Sequence, residues 1–210
     1  MSDARRPRPP CAALLLAAMI AIAAPVSPQT SGRRTPEQIR ASFDAHKSEF
    51  DYLLGDWEFT SVSHEFGPGR GYWSAVRLAE GQILDEYRVV GDSGQTYYVT
   101  TTLRNFNGVA DRWELVGADA GSGLQDFGTG RRVGEEMHIE QTFGVARGNP
   151  SRWRIRYYNI QPDRFSWNGD RSTDGGKTWV TNFLTIEARR IGPARSLPPL
   201  APPRPGAQAK

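Results

Sequence analysis

The residues best suited to chemistry are polar side chains that alternate with apolar ones between residues 136 and 159. His138 and Glu140 could exchange protons as a general acid/base pair, and Arg154 could stabilise a developing anion. The chain has no nucleophile elbow, zinc-protease helix motif, phosphate-binding loop or dinucleotide fingerprint. We therefore expect that the protein is not an enzyme, and keep a small barrel enzyme using this acid/base pair as an alternative.

A metal centre is not expected from the sequence. The three histidines, His46, His64 and His138, are far apart along the chain, and the single cysteine, Cys11, lies in a segment that we predict to be removed. The sequence therefore predicts neither a metal site nor a cofactor.

A β-hairpin must position the candidate acid/base pair. If Ile139 lies opposite Ile155, the apolar residues of both strands share one face, and Glu140 lies opposite Arg154 on the other. One interpretation places the polar row, including His138, in water, with Glu140 and Arg154 as an exposed cross-strand pair. The other places this row inside a barrel, where it would line a polar cavity for an anionic or hydroxylated ligand.

The rest of the domain shows the same alternation, broken about every ten residues by Gly, Asn and Asp. This pattern predicts an all-β antiparallel barrel or sandwich of nine or ten strands, because the links are short and no βαβ spacing occurs. The predicted strands are 57–64, 71–79, 82–90, 96–104, 112–118, 136–143, 151–159, 163–168 and 178–189, with a tenth at 124–132.

One helix is predicted before the strands. Thr35 is suited to its N-cap, Pro36 to its first position and Gln38 to the third residue of a capping box. We expect this helix to close one end of the barrel or to lie along it.

The N-terminal segment has the features of an export signal. Three arginines precede an uncharged run of 14 residues, 11–24, which ends near an Ala-x-Ala site and is shorter than the ~20 residues that span a bilayer. We predict a signal peptide at 1–23, a linker at 24–34, one domain at 35–191 and a disordered Pro-rich tail at 192–210. The protein would then be periplasmic or secreted without a stable membrane span, and the export route, Sec or twin-arginine, stays open.

The charge of the folded part argues against nucleic-acid binding. The whole chain has a net charge of +3, but residues 35–191 contain 18 Lys and Arg against 22 Asp and Glu, a net charge of −4. A nucleic-acid partner needs positive charge on the folded surface that meets the phosphates. We expect no such partner.

Residues 172–179 (STDGGKTW) fit the Asp-box pattern of sialidase propellers. That motif is a structural turn that recurs in each blade, whereas this chain has one copy and is too short for a propeller. We therefore predict a tight turn that leads into the last strand.

Several segments, taken in order, resemble a group of exported bacterial proteins of unknown function. The segments are 50–59 (FDYLLGDWEF), 81–87 (GQILDEY), 112–115 (RWEL) and 172–179. The resemblance covers about residues 50–190 and implies a lipocalin-like, or calycin, barrel. The stretch Gly55-x-Trp57, which follows a short helix, is also similar to the lipocalin first-strand motif. This similarity implies that Trp57 packs near Arg189 or Arg190. The glycines and the late histidine of nitrobindin-type haem barrels are missing, so the resemblance implies no haem.

Our leading functional hypothesis is an exported barrel that binds a small, partly apolar molecule. Aromatic side chains offer large contact surfaces for such a ligand. The candidate binding residues are Trp57, Tyr87, Trp113, Trp153, Trp167, Trp179 and Phe183. Besides the enzyme, the second alternative is an envelope interaction module whose core these aromatics fill, and the oligomeric state stays open.

Overall fold

The computed structural model describes residues 33–199, which form one helix and an antiparallel sheet that closes into a barrel. The helix α1 spans Pro36–His46, and a 3₁₀ turn follows at Asp51–Leu53. The strands are β1 Gly55–Ser63, β2 Gly67–Arg77, β3 Ile83–Val90, β4 Thr96–Asn107, β5 Arg112–Asp119, β6 Gly123–Val133, β7 Glu136–Phe143, β8 Ser151–Tyr158, β9 Arg164–Ser172, β10 Val180–Gly192 and β11 Arg195–Ser196. A second 3₁₀ turn, Val145–Arg147, lies between β7 and β8.

Each strand from β1 to β9 pairs with the next strand in the chain, and β10 pairs with β1. This confirms the prediction of an all-β antiparallel fold and identifies it as a closed ten-stranded barrel, including the strand expected at 124–132. Closure leaves none of these ten strands with a free edge. The predicted signal peptide, most of the linker and residues 200–210 lie outside the described residues.

The start of the predicted tail belongs to the barrel. Arg195 and Ser196 form β11, which pairs in parallel with Val76 and Arg77 of β2. These two residues of β2 lie beyond Ala75, the last residue of β2 that pairs with β1. Arg195 also donates to the Asp56 carboxylate at 2.7 Å. The prediction of disorder from residue 192 is therefore wrong for this stretch, because its backbone can extend β2's ladder even though it has few apolar side chains.

The predicted capping box is present at the start of α1. The Thr35 hydroxyl accepts from Gln38 N, and the Gln38 side chain accepts from Thr35 N. The helix lies over the turn between β4 and β5, where Ser42 donates to Asp111 and the His46 ring stacks on Phe106 at 4.9 Å. No residue of α1 is fully buried.

The segment after the helix closes one end of the barrel. Phe50 and Leu53 are fully buried there, and the Trp57 indole donates to Leu53 O at 2.8 Å. The Arg190 guanidinium stacks 4.0 Å from the centre of the Trp57 ring and donates to Leu54 O and Tyr52 O. Of the two arginines that the resemblance offered, Arg190 therefore packs on Trp57. We call this end the floor and the opposite end, with the β1–β2, β3–β4, β5–β6, β7–β8 and β9–β10 turns, the mouth.

The predicted hairpin register is confirmed. Ile139 pairs with Ile155, and Glu140 pairs with Arg154. Both isoleucines are buried at 3% exposure, whereas Glu140 and Arg154 are exposed. The polar row therefore lies on the outer wall, and the interpretation that placed it inside is wrong. The apolar residues of the two strands occupy the inward positions, where they pack against the core.

The Asp-box segment forms the β9–β10 turn at the mouth. Asp174 accepts from Lys177 N, Thr178 N and the Thr178 hydroxyl, and these hydrogen bonds keep the pKa of its carboxyl well below the usual range. The Trp179 indole donates to Gly176 O at 3.0 Å. The segment thus has the structural role that the sequence predicted, a tight turn leading into β10.

Candidate functional site

The interior of the barrel changes from a filled floor to an accessible mouth. Inward side chains near the floor are packed to less than 2% exposure, as in Trp57, Trp113 and Phe165. Toward the mouth several inward-facing apolar side chains are only partly buried. These mouth residues are Tyr87, Val89, Tyr98, Phe143, Trp153, Phe183 and Leu184. The mouth half of the interior is therefore an apolar, aromatic surface that solvent reaches.

An ion pair lies deep in the interior. Arg104 Nε donates to the Asp85 carboxylate at 2.5 Å, and the side chains of this pair are 3% and 1% exposed. The Trp73 indole donates to the same carboxylate at 2.8 Å, and Arg104 also donates to the Tyr157 hydroxyl at 3.3 Å. Burial by itself lowers the pKa of Arg104, but the Asp85 carboxylate outweighs it and raises that pKa. The pair is thus charged and nearly neutral overall, as a buried pair must be.

Two further carboxylates face the interior closer to the mouth. Asp126 on β6 is 1% exposed and Asp119 on β5 is 9% exposed. Asp126 accepts from the Gln141 amide, and Asp119 accepts from Ser122 Oγ at 3.3 Å. Burial raises the pKa of Asp126 to about 6; the Gln141 hydrogen bond and the charge of Arg104 act against this rise, and the charges of Asp85 and Asp119 add to it. Neither carboxylate is within ion-pair distance of a Lys, Arg or His side chain that the structure describes, a set that leaves out Arg147.

Strand register sets the neighbours of these carboxylates. Asp85, Thr102, Gly117 and Asp126 lie side by side on β3, β4, β5 and β6. A Cβ at Gly117 would be 2.1 Å from Asp126 Oδ2, so the glycine provides the room in which this carboxylate lies. These residues form a polar belt around one side of an otherwise apolar interior.

Some buried polar atoms of the interior have no partner in the protein. Within residues 33–199 they are Tyr52 Oη, Arg104 Nη1, Asp119 Oδ1 and Arg171 Nε. All four side chains face the inside of the barrel, at the floor, in the belt and near the mouth. Buried polar groups are almost always satisfied by protein, ordered water or a ligand. These atoms therefore call for hydrogen-bonding groups that the described chain does not supply.

The structure separates the predicted binding residues into three groups: the floor, the interior above it, and the outer wall. Trp57 and Trp113 are fully buried in the floor. The residues that face the interior above the floor are Tyr87, Trp153, Trp167 and Phe183. The Phe183 ring meets the Trp153 ring edge-on at 5.4 Å.

Trp179 is apart from the other predicted binding residues. It lies on the outer wall, where the Arg154 guanidinium stacks 4.0 Å from the centre of its ring.

The predicted acid/base residues lie together in a groove of about 550 Å³ on the outer wall. His138 Nε2 contacts Glu136 at 2.7 Å, and the Arg156 guanidinium is 3.6 Å from the same carboxylate. Glu140 is nearest to Arg152, at 3.9 Å, instead of Arg154. The groove is open to solvent along the wall, and its charged side chains pair with one another there.

No residue of the polar belt was among the predicted site residues. Asp85 and Glu86 are adjacent and point to opposite faces, since Asp85 is buried while Glu86 accepts from Arg88 outside. The missed signal was a charged residue at an inward position of an alternating strand. Asp85 lies between inward Ile83 and Tyr87, and Asp126 occupies the same kind of position on β6.

The described residues contain neither a metal-binding cluster nor a helix that could span a membrane. No group of three His, Cys, Asp or Glu side chains in 33–199 is close enough to hold a metal ion. No helix in this part of the chain is both long enough and apolar enough to cross a bilayer.

Comparison with known proteins identifies similar folds. No described protein family and no curated protein matches the chain. The crystal structure of Rv2717c from M. tuberculosis is similar over 71% of this chain and 97% of its own, with 16% identity and a TM-score of 0.51. At this identity the similarity concerns the fold alone, a closed antiparallel β-barrel.

Two designed barrels, each bound to DFHBI, show weaker similarity. EF1p2_mFAP2b matches over 69% of this chain and 98% of its own, with 14% identity and a TM-score of 0.36. The redesigned β barrel mFAP0 matches over 66% and 99%, with 14% identity and a TM-score of 0.34.

Proposed function

We propose that this protein is an exported barrel that binds a small, partly apolar molecule in the mouth half of its interior. The observation that carries the proposal is a pair of buried polar atoms near the mouth, Asp119 Oδ1 and Arg171 Nε, which have no hydrogen-bond partner among the described residues. A ligand with a few hydrogen-bonding groups on an apolar body would satisfy such atoms while it covers the aromatic surface. The basic and apolar character of residues 1–24 supports export to the periplasm or the medium.

The mouth residues give this ligand its apolar contacts. Trp153 and Phe183 form one side, with the Arg171 guanidinium 4.7 Å from the centre of the Phe183 ring. Tyr87 lies deeper and stacks face to face on Phe59 at 4.8 Å. Such surfaces bind planar or chain-like apolar groups by stacking and by the release of water.

We do not propose acid/base catalysis by His138 and Glu140. Both side chains lie on the outer wall, where water reaches the groove and the Glu136 carboxylate already contacts the His138 ring. A general base is most effective where solvent is excluded and its partner groups are fixed.

Native mass spectrometry of the protein, purified from the periplasm of cells that express the full chain, tests the proposal. We expect a discrete small molecule at one copy per barrel, which organic extraction then releases for identification. Phe183→Ala should lower its occupancy several-fold, because a mouth contact is lost.

Phe127→Ala is the matched control, since Phe127 is 51% exposed on the outer wall and its removal should leave occupancy unchanged. A ligand-free mass, together with no binding from periplasmic extracts, would contradict the proposal and favour an interaction module with a filled core. Equal losses in both variants would indicate that the ligand binds outside the barrel.

A further inference from the structure

We propose that the interior site selects a ligand carrying a positively charged nitrogen, which binds between the carboxylates of Asp119 and Asp126. This inference rests on the proposed binding function and adds the chemical class of the ligand. The ligand would be an organic amine with an aromatic or aliphatic body, small enough to enter through the mouth.

The charges inside the barrel favour a cation. Arg104 is neutralised by Asp85, and Arg171 is paired with Glu65 at 2.7 Å. Asp119 and Asp126 have no such partner among the described side chains, which therefore give the mouth half of the interior an excess of negative charge when both are ionised. A buried carboxylate without a cation is costly, and a bound cation removes that cost.

An unsatisfied acceptor beside the proposed site calls for a donor. Asp119 Oδ1 is buried without a hydrogen-bond partner among the described residues. An ionised carboxylate oxygen only accepts hydrogen bonds, so the missing partner must be a donor. An ammonium group supplies up to three donors.

An aromatic surface beside the carboxylates also favours an organic cation. Tyr98 faces the interior from β4, one inward position beyond Thr100, which is paired with Asp119. The charges of Asp119 and Asp126 both act on its hydroxyl, and its ring meets Tyr87 at 6.3 Å. Tyrosine faces next to carboxylates attract organic cations through cation–π contacts.

The glycine at position 117 makes room for one of the two carboxylates. With no side chain there, the Asp126 carboxylate can lie against β5. Any larger residue would push this carboxylate away from the wall. The strand register thus accommodates an acid in the wall of the interior.

Three probes with the same indole ring test the charge preference by calorimetry at pH 7.5. Tryptamine is a cation, tryptophol is neutral and indole-3-acetate is an anion. We expect tryptamine to bind at least tenfold more tightly than tryptophol, and indole-3-acetate to bind most weakly. In Asp119→Asn and Asp126→Asn, tryptamine should lose at least fivefold in affinity, while tryptophol changes less than twofold.

Asp92→Asn is the control for net charge. Asp92 is fully exposed in the β3–β4 turn at the mouth, so this variant removes one negative charge without touching the interior. Its affinities should match those of the unmodified protein.

Equal affinity for tryptamine and tryptophol would overturn the amine proposal but leave the binding barrel intact. Failure of all three probes to bind at millimolar concentration would also overturn the amine proposal, whereas the binding barrel is contradicted only by ligand-free native mass spectra and no binding from periplasmic extracts. Near-ultraviolet circular dichroism shows whether each variant keeps the packing of its aromatic core.

Discussion

Replacing Asp126 by Asn should stabilise the protein at neutral pH and leave it nearly unchanged in acid. Asp126 is 1% exposed, and burial raises the pKa of its carboxyl from 3.8 to about 6. Each pKa unit corresponds to about 1.4 kcal/mol, so ionised Asp126 destabilises the folded state by up to about 3 kcal/mol. Asn has almost the same shape and can still accept from the Gln141 amide, as Asp126 does.

The pH dependence follows from the direction of this shift. An acid whose pKa is higher in the folded state binds more protons there between about pH 4 and 6, so the free energy of unfolding falls as the pH rises through that window. Above pH 6 the free energy of unfolding is lowered by the full amount, and below pH 4 it is not lowered at all. Asp126→Asn should remove this decline, since its side chain does not titrate.

Urea unfolding at pH 4.5 and 7.5, followed by tryptophan fluorescence, measures the effect. We expect Asp126→Asn to be about 2 to 3 kcal/mol more stable than the unmodified protein at pH 7.5, and within about 1 kcal/mol of it at pH 4.5. Asp92→Asn, which changes an exposed carboxylate, should match the unmodified protein at both values. Destabilisation by Asp126→Asn at pH 7.5, or an equal change at both values, would refute the reasoning.

Other variants test other parts of the structure. Asp85→Ala should destabilise by about 3 to 5 kcal/mol in urea unfolding, because Arg104 stays buried without its partner; Asp85→Ala with Arg104→Met should lose less, and a larger loss in the double variant would contradict this account. Gly117→Ala should destabilise by about 1 to 3 kcal/mol in the same assay, since its Cβ would meet the Asp126 carboxylate. Asp174→Ala should lower the midpoint of thermal unfolding by opening the β9–β10 turn, and the contribution of Asp174 should disappear in acid as its low pKa is passed. His138→Ala should leave ligand occupancy in native mass spectra unchanged, and a loss would bring the outer groove back into consideration.

Local patterns in the sequence were sufficient to predict much of the barrel. The capping box at Thr35 was read from three residue types, and it forms as expected because its hydrogen bonds are local. The pairing of Ile139 with Ile155 was also predictable, because a slip of one residue would set apolar side chains against charged ones. Alternation at β6 was weaker, since three glycines interrupt it, yet the strand is present.

The site could be predicted only in part. Aromatic residues were natural candidates, but the alternation that selected them does not distinguish a filled floor from an open mouth. Trp57 and Trp179 show the difference: one is fully buried beneath the barrel and the other lies outside it. Residue type alone gave both the same weight.

The sequence by itself determined the strands, their order of pairing and the two faces of each, because these depend on neighbours within about ten residues. Only the tertiary structure decided what the faces enclose. Closure of β10 onto β1 turns one face of every strand inward, and this brings Asp119 and Asp126 into a shared interior with Arg104. The energies of buried charges depend on distances across the barrel and on the loss of water around them, and neither is encoded in any short stretch of the chain.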